Sequence, residues 1–399
     1  MNDFVFYSPT KFVFGKAAEQ KVGAELKAAG YKQVLLHYGQ SSVKRSGLLD
    51  TIKAQLEIEG IEYHELGGVR PNPEITLVRE GIALARDLEA RGKALDFILC
   101  LGGGSVIDSA KAISAGLHYQ GDVWDFYLRG ADTEAMLVDP IDLGSVLTIP
   151  AAGSEASSGT VLSNDELQMK SSFGSPRLRP VLAFMNPELT MSLPAWQSAA
   201  GVTDMYAHLC ERFFSKTDFV APSDALALAL FKTLVSMGPR VIKDPQDYEA
   251  RAAIMWSGTL CHNGLTGCGR EEDWITHALE HELSARKTEI THGAGLAVMF
   301  PAWMRYVCKQ KPERFALYGR EVFGLQASED IFKDAQAAID ATQSFFSSLG
   351  MPSRLLDLGI EASDIEPMLE QLQKNKGESF GSFAHLSLED ARKIYESAL

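Results

Sequence analysis

The sequence predicts an α/β half built on a parallel sheet, followed by an all-helical half, with the boundary near residue 193 (1–193 and 194–399). Three observations carry this. The chain has 399 residues, more than one small core accommodates. Its first half alternates short apolar runs with helix-spaced stretches, the pattern of strands joined by helical crossovers. After Leu193-Pro194 the apolar residues recur at helical spacing almost without interruption.

Each element follows from local pattern. In the first half the expected strands are residues 34–38 (ending at Gly39), 61–66, 97–101, 145–149 and 181–185. The run at 97–101, Phe-Ile-Leu-Cys-Leu, is apolar throughout, as a strand buried on both faces must be. Helix-spaced stretches at 17–29, 47–59 and 73–91 separate these strands, which implies a parallel sheet covered on both sides. In the second half, helices are expected over 195–215, 223–237, 247–262, 273–285, 294–307, 330–348 and 362–374.

Composition narrows the function classes. Apolar residues make up 46% of the chain and charged residues 23%, a globular balance with no low-complexity tract or internal repeat. The formal net charge of -14 repels phosphate backbones and anionic lipid, so no nucleic-acid partner is expected. Residues 1–15 alternate apolar and polar without a leader pattern, and no apolar run reaches the length of a membrane span. The five cysteines (Cys100, Cys210, Cys261, Cys268 and Cys308) are odd in number and form no C-x-x-C pair. They read as reduced thiols of a cytoplasmic protein.

Two turns in the first half suit a nucleotide. Gly102-Gly103-Gly104-Ser105 follows the apolar strand and opens a helix that runs on through Asp108 and Lys111. Glycines let backbone approach a ligand closely, and a helix N-terminus directs free N–H groups and positive dipole at a pyrophosphate. The chain has neither G-x-G-x-x-G at this turn nor a Walker A pattern. The second turn, Gly39-Gln40-Ser41-Ser42, ends the first clear strand, where an acidic residue would accept from an adenosine ribose and repel a 2′-phosphate. No acid stands there, and Lys44 and Arg45 are close by, which permits NADP(H).

The second half carries a histidine cluster. Asp204 and His208 lie four apart in one expected helix, His277 and His281 four apart in another, and His292 follows eleven residues later. Residues at i and i+4 project from one helix face, so two such pairs on facing helices converge on one ion. Imidazole and carboxylate suit Fe(II), Zn(II), Co(II), Ni(II) or Mn(II), and the absence of cysteine speaks against an all-protein structural zinc site. Four ligands and one open position would admit a substrate oxygen. His37, His64, His118, His262 and His385 show no such pattern and read as structural.

These motifs together resemble the iron-containing (group III) alcohol dehydrogenases, most closely their butanol dehydrogenase and broad aldehyde reductase branch. The resemblance runs nearly end to end. Residues 12–16 look like the family's opening strand and turn, and Gly102 to Lys111 matches its G-G-G-S-x-x-D-x-x-K motif. Pro150-Ala151-Ala152-Gly153-Ser154-Glu155 matches P-A-T-G-S-E with Ala152 in place of Thr. Gly201-Val202-Thr203-Asp204 with His208 matches the first ligand motif; Asp273 to His277 with His281, and Thr291-His292-Gly293, match the second.

The resemblance implies a dehydroquinate synthase-like fold: an α/β nucleotide-binding domain and an all-helical metal domain, with the active site in the cleft between them. It implies Fe(II) or Zn(II) on Asp204, His208, His277 and His292. His281 would relay a proton or else orient a ligand. Cofactor contacts, to NADP(H) or NAD(H), would come from Gly39, Gln40, Ser42, Gly103, Gly104, Ser105, Asp108, Thr148, Ser157 and Lys170. The substrate would be a small alcohol or aldehyde, and the assembly a homodimer. The Gly39-Gln40-Ser41 turn, Ala152, and one extra residue between His281 and His292 depart from the family pattern. Two other readings exist: a lyase on the same fold, which would need basic residues such as Arg270 and Arg286 to grip an anionic substrate, and a non-catalytic nucleotide- or metal-binding relative.

Overall fold

The computed structural model describes residues 1–218 and 220–399. It divides into two compact units, one of Tyr7–Ser192 and one of Met1–Phe6 with Leu193–Leu399. The first six residues cluster with the helical unit, where the Asn2 N–H donates to the Gly269 carbonyl.

The Tyr7–Ser192 unit contains strands β1 (Lys11–Phe14), β2 (Gln33–Gly39), β3 (Glu62–Val69), β4 (Phe97–Gly102), β5 (Asp142–Leu147), β6 (Gly159–Asn164), β7 (Met169–Gly174) and β8 (Leu182–Met185). Six of them form one sheet in the order β1-β8-β5-β4-β2-β3, parallel throughout. Every residue of β4 is buried, which is why its sequence shows no alternation. The helices are α1 (Val22–Ala29), α2 (Ser42–Arg45), α3 (Leu48–Glu59), α4 (Ile75–Ala90), α5 (Gly104–Gly116) and α6 (Thr133–Met136). Gly30 and Gly60 end α1 and α3 in the left-handed region, at φ 91° and 67°.

The strand order fixes where a ligand belongs. From β2 the chain moves outward to β3, and from β4 it moves the other way to β5. The reversal lies between the carboxyl ends of β2 and β4, the place where doubly wound sheets bind nucleotides. Both glycine turns sit there, and the Thr148 N–H at the end of β5 donates to the Gly102 carbonyl at 3.0 Å.

The sequence reading missed the antiparallel β6–β7 hairpin. Its strands lie outside the main sheet, and Thr-Val-Leu-Ser-Asn and Lys-Ser-Ser-Phe are too polar to stand out as sheet core.

The second unit contains α7 (Ala195–Phe213), α8 (Ala221–Lys243), α9 (Tyr248–His262), α10 (Ile275–Arg286), α11 (His292–Val307), α12 (Pro312–Phe323), α13 (Ile331–Ser348), α14 (Ala362–Lys376) and α15 (Leu388–Ser397). Helices α12 and α15 lay outside the sequence expectation. The latter starts on a capping box, with the Ser387 side chain accepting from the Asp390 N–H. Among its described residues the regular structure of the unit is helical except for one two-residue antiparallel pair, β9 (Ser379–Phe380) and β10 (Leu386–Ser387). Helix α8 is long and apolar enough to cross a membrane by composition, yet Ala227, Leu230, Phe231, Leu234 and Val241 lie in this unit's core. At its first turn Asp224 accepts from Arg270 and Arg314, so its buried charge is paired.

Candidate functional site

Helix α7 carries Asp204 and His208 on one face, α10 carries His277, and α11 begins at His292. All four side chains converge. Asp204 Oδ1 lies 3.7 Å from His208 Nδ1, 3.8 Å from His277 Nε2 and 3.8 Å from His292 Nε2. Neighbouring ligands of a tetrahedral zinc-type ion stand about 3.4 Å apart, given metal–ligand bonds near 2.0–2.1 Å. The observed separations match that spacing to within a few tenths of an ångström.

The donor atoms themselves have the chemistry a divalent cation needs. Asp204 Oδ1, His208 Nδ1 and His277 Nε2 are all buried without a hydrogen-bond partner. Orphaned buried polar atoms are costly, and a divalent cation satisfies three of them at once. Burial first, and then neighbouring His262 and His277, holds His208 well below the usual imidazole range, which leaves its nitrogen lone pair free for a metal. Burial alone would lower His277 too, but Asp204 and Glu211 push it up to about 9.

Two carboxylates absent from the sequence reading stand behind the histidines. The Nδ1 of His277 contacts Glu211 Oε1 at 2.7 Å, and the same oxygen accepts the His277 backbone N–H at 2.9 Å. The Nδ1 of His292 contacts Glu280 Oε2. Glu211 and Glu280 are fully buried. A signal existed in the sequence: His208 and His277 are each followed three residues later by Glu. The braces nevertheless run between helices, from α7 to α10 and from α10 to α11, which spacing within one helix does not reveal.

His262, read from sequence as structural, stacks on His208 with ring centroids 4.0 Å apart. Arg212 donates to its Nδ1 at 3.2 Å and covers the Trp274 ring at 4.7 Å. His281 lies one turn beyond His277, half-buried, with its ring centroid 5.6 Å from that of His292. Arg270 is buried against Asp224, and Arg286 donates to Asp364 at 2.9 Å. Both arginines that an anion-gripping lyase would use are committed elsewhere.

In the other unit Gly103 caps α5 in extended conformation, and no side chain caps the helix. A Cβ on Gly103 would stand 2.9 Å from Ile149 Cβ, and one on Gly104 3.1 Å from Ala152 Cβ. These glycines let the turn lie flat against the loop after β5 while the N–H groups of the first helical turn stay without a side-chain cap. That cradle fits a pyrophosphate. Gly39 ends β2, and Gln40 and Ser42 are exposed in the following turn, where Arg45 donates to Ser41 Oγ at 2.8 Å.

Asp108, Ser157 and Lys170 are held more deeply. Asp108 accepts from Ser154 Oγ at 2.5 Å and from the Val161 N–H at 3.1 Å. Ser157 accepts from Lys111 at 3.3 Å, and Lys170 is buried on β7. These contacts bind the β6–β7 hairpin to α5.

Comparison with known proteins agrees along the whole chain. The family profile described as "Iron-containing alcohol dehydrogenase" matches residues 9–187, and "Fe-containing alcohol dehydrogenase family, C-terminal" matches 198–399. The chain is 37% identical to NADH-dependent butanol dehydrogenase A of Clostridium acetobutylicum, covering 100% of both chains. It is 34% identical to NADPH-dependent aldehyde reductase YqhD of Escherichia coli, again over 100% of both. The solved structure of an NADH-dependent butanol dehydrogenase A from Thermotoga maritima superposes with a TM-score of 0.94 at 35% identity, covering 100% of this chain and 99% of that one.

Proposed function

The chain belongs to the iron-containing alcohol dehydrogenase family, and from that premise we propose that Asp204, His208, His277 and His292 hold the metal of a cytoplasmic, homodimeric butanol dehydrogenase or aldehyde reductase. It is an NAD(P)-dependent alcohol/aldehyde oxidoreductase that uses a divalent metal. The observation that carries the site assignment is the set of three orphaned buried donor atoms at Asp204, His208 and His277. When bound, the metal supplies Lewis acidity toward a carbonyl or hydroxyl oxygen, and the nicotinamide supplies or accepts the hydride.

The protein's own part is alignment and proton handling. The turn at Gly103, Gly104 and Ser105 holds the pyrophosphate on the first-turn N–H groups of α5. The Gly39, Gln40 and Ser42 turn takes the adenosine ribose, and the absence of a carboxylate there, with Lys44 and Arg45 following, accommodates NADPH as well as NADH. Thr148, just after β5, donates its N–H to Gly102 at the pyrophosphate turn, and Asp108 and Ser157 hold the β6–β7 hairpin, which carries Lys170, beside it. As an alcohol loses hydride its hydroxyl proton must also leave, and half-buried His281 accepts that proton on a ring nitrogen and passes it to water. Fe(II) and Zn(II) both suit the donor set.

The exposed N-terminal run supports the homodimer. Phe4, Val5, Phe6 and Tyr7 are 50%, 96%, 41% and 58% exposed, and β1 lies at an open edge of the sheet. An exposed apolar run is a surface that a second copy covers, and an open sheet edge offers a second one.

The test is oxidation of NADPH and NADH with butanal, on chelator-stripped protein before and after Fe(II) or Zn(II) is restored. Turnover is expected only with metal, and Asp204→Ala and His277→Ala are expected to lose both metal and turnover while keeping the wild-type circular dichroism. Full activity in a metal-stripped Asp204→Ala protein would overturn the site assignment.

A further inference from the structure

Glu211 and Glu280 are fully buried, and each meets a histidine at the nitrogen facing away from Asp204. A buried carboxylate is expensive unless it has a strong partner. Glu211 Oε1 takes two contacts, both from His277, while its Oε2 has none. Glu280 contacts His292 and accepts from Ser284. A carboxylate accepts hydrogen bonds, so the ring nitrogen it meets carries a proton. Nε2 is then the nitrogen that gives up its proton to a metal, and in both histidines Nε2 is the atom that lies 3.8 Å from Asp204 Oδ1.

We propose that Glu211 and Glu280 are positioning residues that lock His277 and His292 in the Nδ1–H tautomer, aim both Nε2 atoms at one ion, and so set the tightness of metal binding. The braces form a relay between elements. Helix α7, which carries Asp204 and His208, grips the ligand of α10 through Glu211, and α10 grips the ligand of α11 through Glu280. Three helices are thereby tied in the order that brings four ligands together. Among the described residues His208 has no such carboxylate contact: Arg212 donates to its backbone carbonyl, and the His262, His277 and Trp274 rings lie around its own. The inference rests on the metal-site assignment above and adds which residues orient the ligands.

The experiment measures affinity for Zn(II) and Co(II) by competition with a chelator, in the wild type and in Glu211→Gln, Glu280→Gln and Asp204→Ala. Glutamine keeps the shape and removes the charge. The glutamine variants are expected to bind either ion about 10- to 100-fold more weakly. Their Co(II) absorption bands should keep the wild-type form, because the ligands themselves are unchanged, and their metal-free melting temperatures should stay at or above the wild-type value. Affinity within twofold of wild type in both would overturn the proposal, as would weaker binding matched by a lower metal-free melting temperature, which marks a purely structural role.

If the variants do not fold, nitrogen NMR of the metal-loaded wild type decides. Protons on Nδ1 of His277 and His292 support the tautomer lock, and metal on either Nδ1 refutes it. Asp204→Ala separates the two levels. If it binds metal like the wild type, the site assignment fails. If it loses metal and the glutamine variants do not, only the role of the glutamates fails.

Discussion

Asp204 and His37 are both buried polar residues, and what separates them is whether the protein satisfies their atoms. His37 is completed by the chain itself: its Nδ1 donates to the Leu66 carbonyl at 2.9 Å and its Nε2 meets Ser109 Oγ at 2.9 Å. Asp204 Oδ1 has three imidazole nitrogens around it and no hydrogen bond. Burial, opposed by the Leu66 hydrogen bond, pushes His37 down to about 4 from the ordinary 6.5. Above pH 6.5 both folded and unfolded chains hold it neutral and its contribution is complete. As pH falls from there toward 4 the unfolded chain takes up a proton that the folded one refuses, so stability drops, by about 2 kcal/mol at pH 5 from this residue alone. Urea unfolding of wild type and His37→Gln at pH 7 and pH 5 checks this: the variant should lose less stability between the two, and an equal loss would refute it. The i, i+4 spacing made Asp204 with His208 and His277 legible in the sequence, because helix geometry places such pairs on one face. Glu211 and Glu280 left only the trace of standing three residues after a histidine, and the role of His262 left none, because each reaches a histidine on a different helix.

At the scale of elements, the strands that hold the glycine turns were readable because a strand buried on both faces is apolar throughout, as β4 is. The β6–β7 hairpin was hidden because it is held by polar contacts. Lys111, fully buried on α5, donates to the Ser154 carbonyl, Ser154 Oγ and the Gly159 carbonyl at 2.9, 2.8 and 2.8 Å. Burial pushes its ammonium down to about 8, against the pull of Asp108 and Glu155. Replacing it with methionine keeps the apolar stem and strands two carbonyls, at roughly 1–3 kcal/mol each. Lys111→Met should therefore destabilise the α/β unit by about 3 kcal/mol, seen as a lower melting temperature. It should also weaken cofactor binding, read as a raised KM for NAD(P)H, since Ser157 sits on the loop that Lys111 holds. A wild-type melting temperature would show that the hairpin is anchored by other contacts.

At the scale of the whole molecule, the exposed run at Phe4 to Tyr7 leads to a prediction about assembly. If it is the contact between two copies, Val5→Lys places a charge in an apolar seam and should shift sedimentation from dimer to monomer while leaving circular dichroism unchanged. A wild type that sediments as a monomer at the same concentration would remove the basis for the dimer. Helix α8 shows the opposite case: composition alone fits a membrane span, and only the packing of Phe231 and Leu234 into the core places it inside a globular unit. By itself the sequence determined the α/β half, the helical half, the glycine turns and the i, i+4 pairs Asp204/His208 and His277/His281, because all of these are set by pattern within single elements. Tertiary structure decided which strands stand side by side at the reversal point, that α10 and α11 bring their histidines to Asp204, and that Glu211 and Glu280 stand behind them. The physical reason is that spacing fixes the face of one helix or strand, while its partner is chosen by the packing of buried side chains and by buried charges that must find one another across the fold.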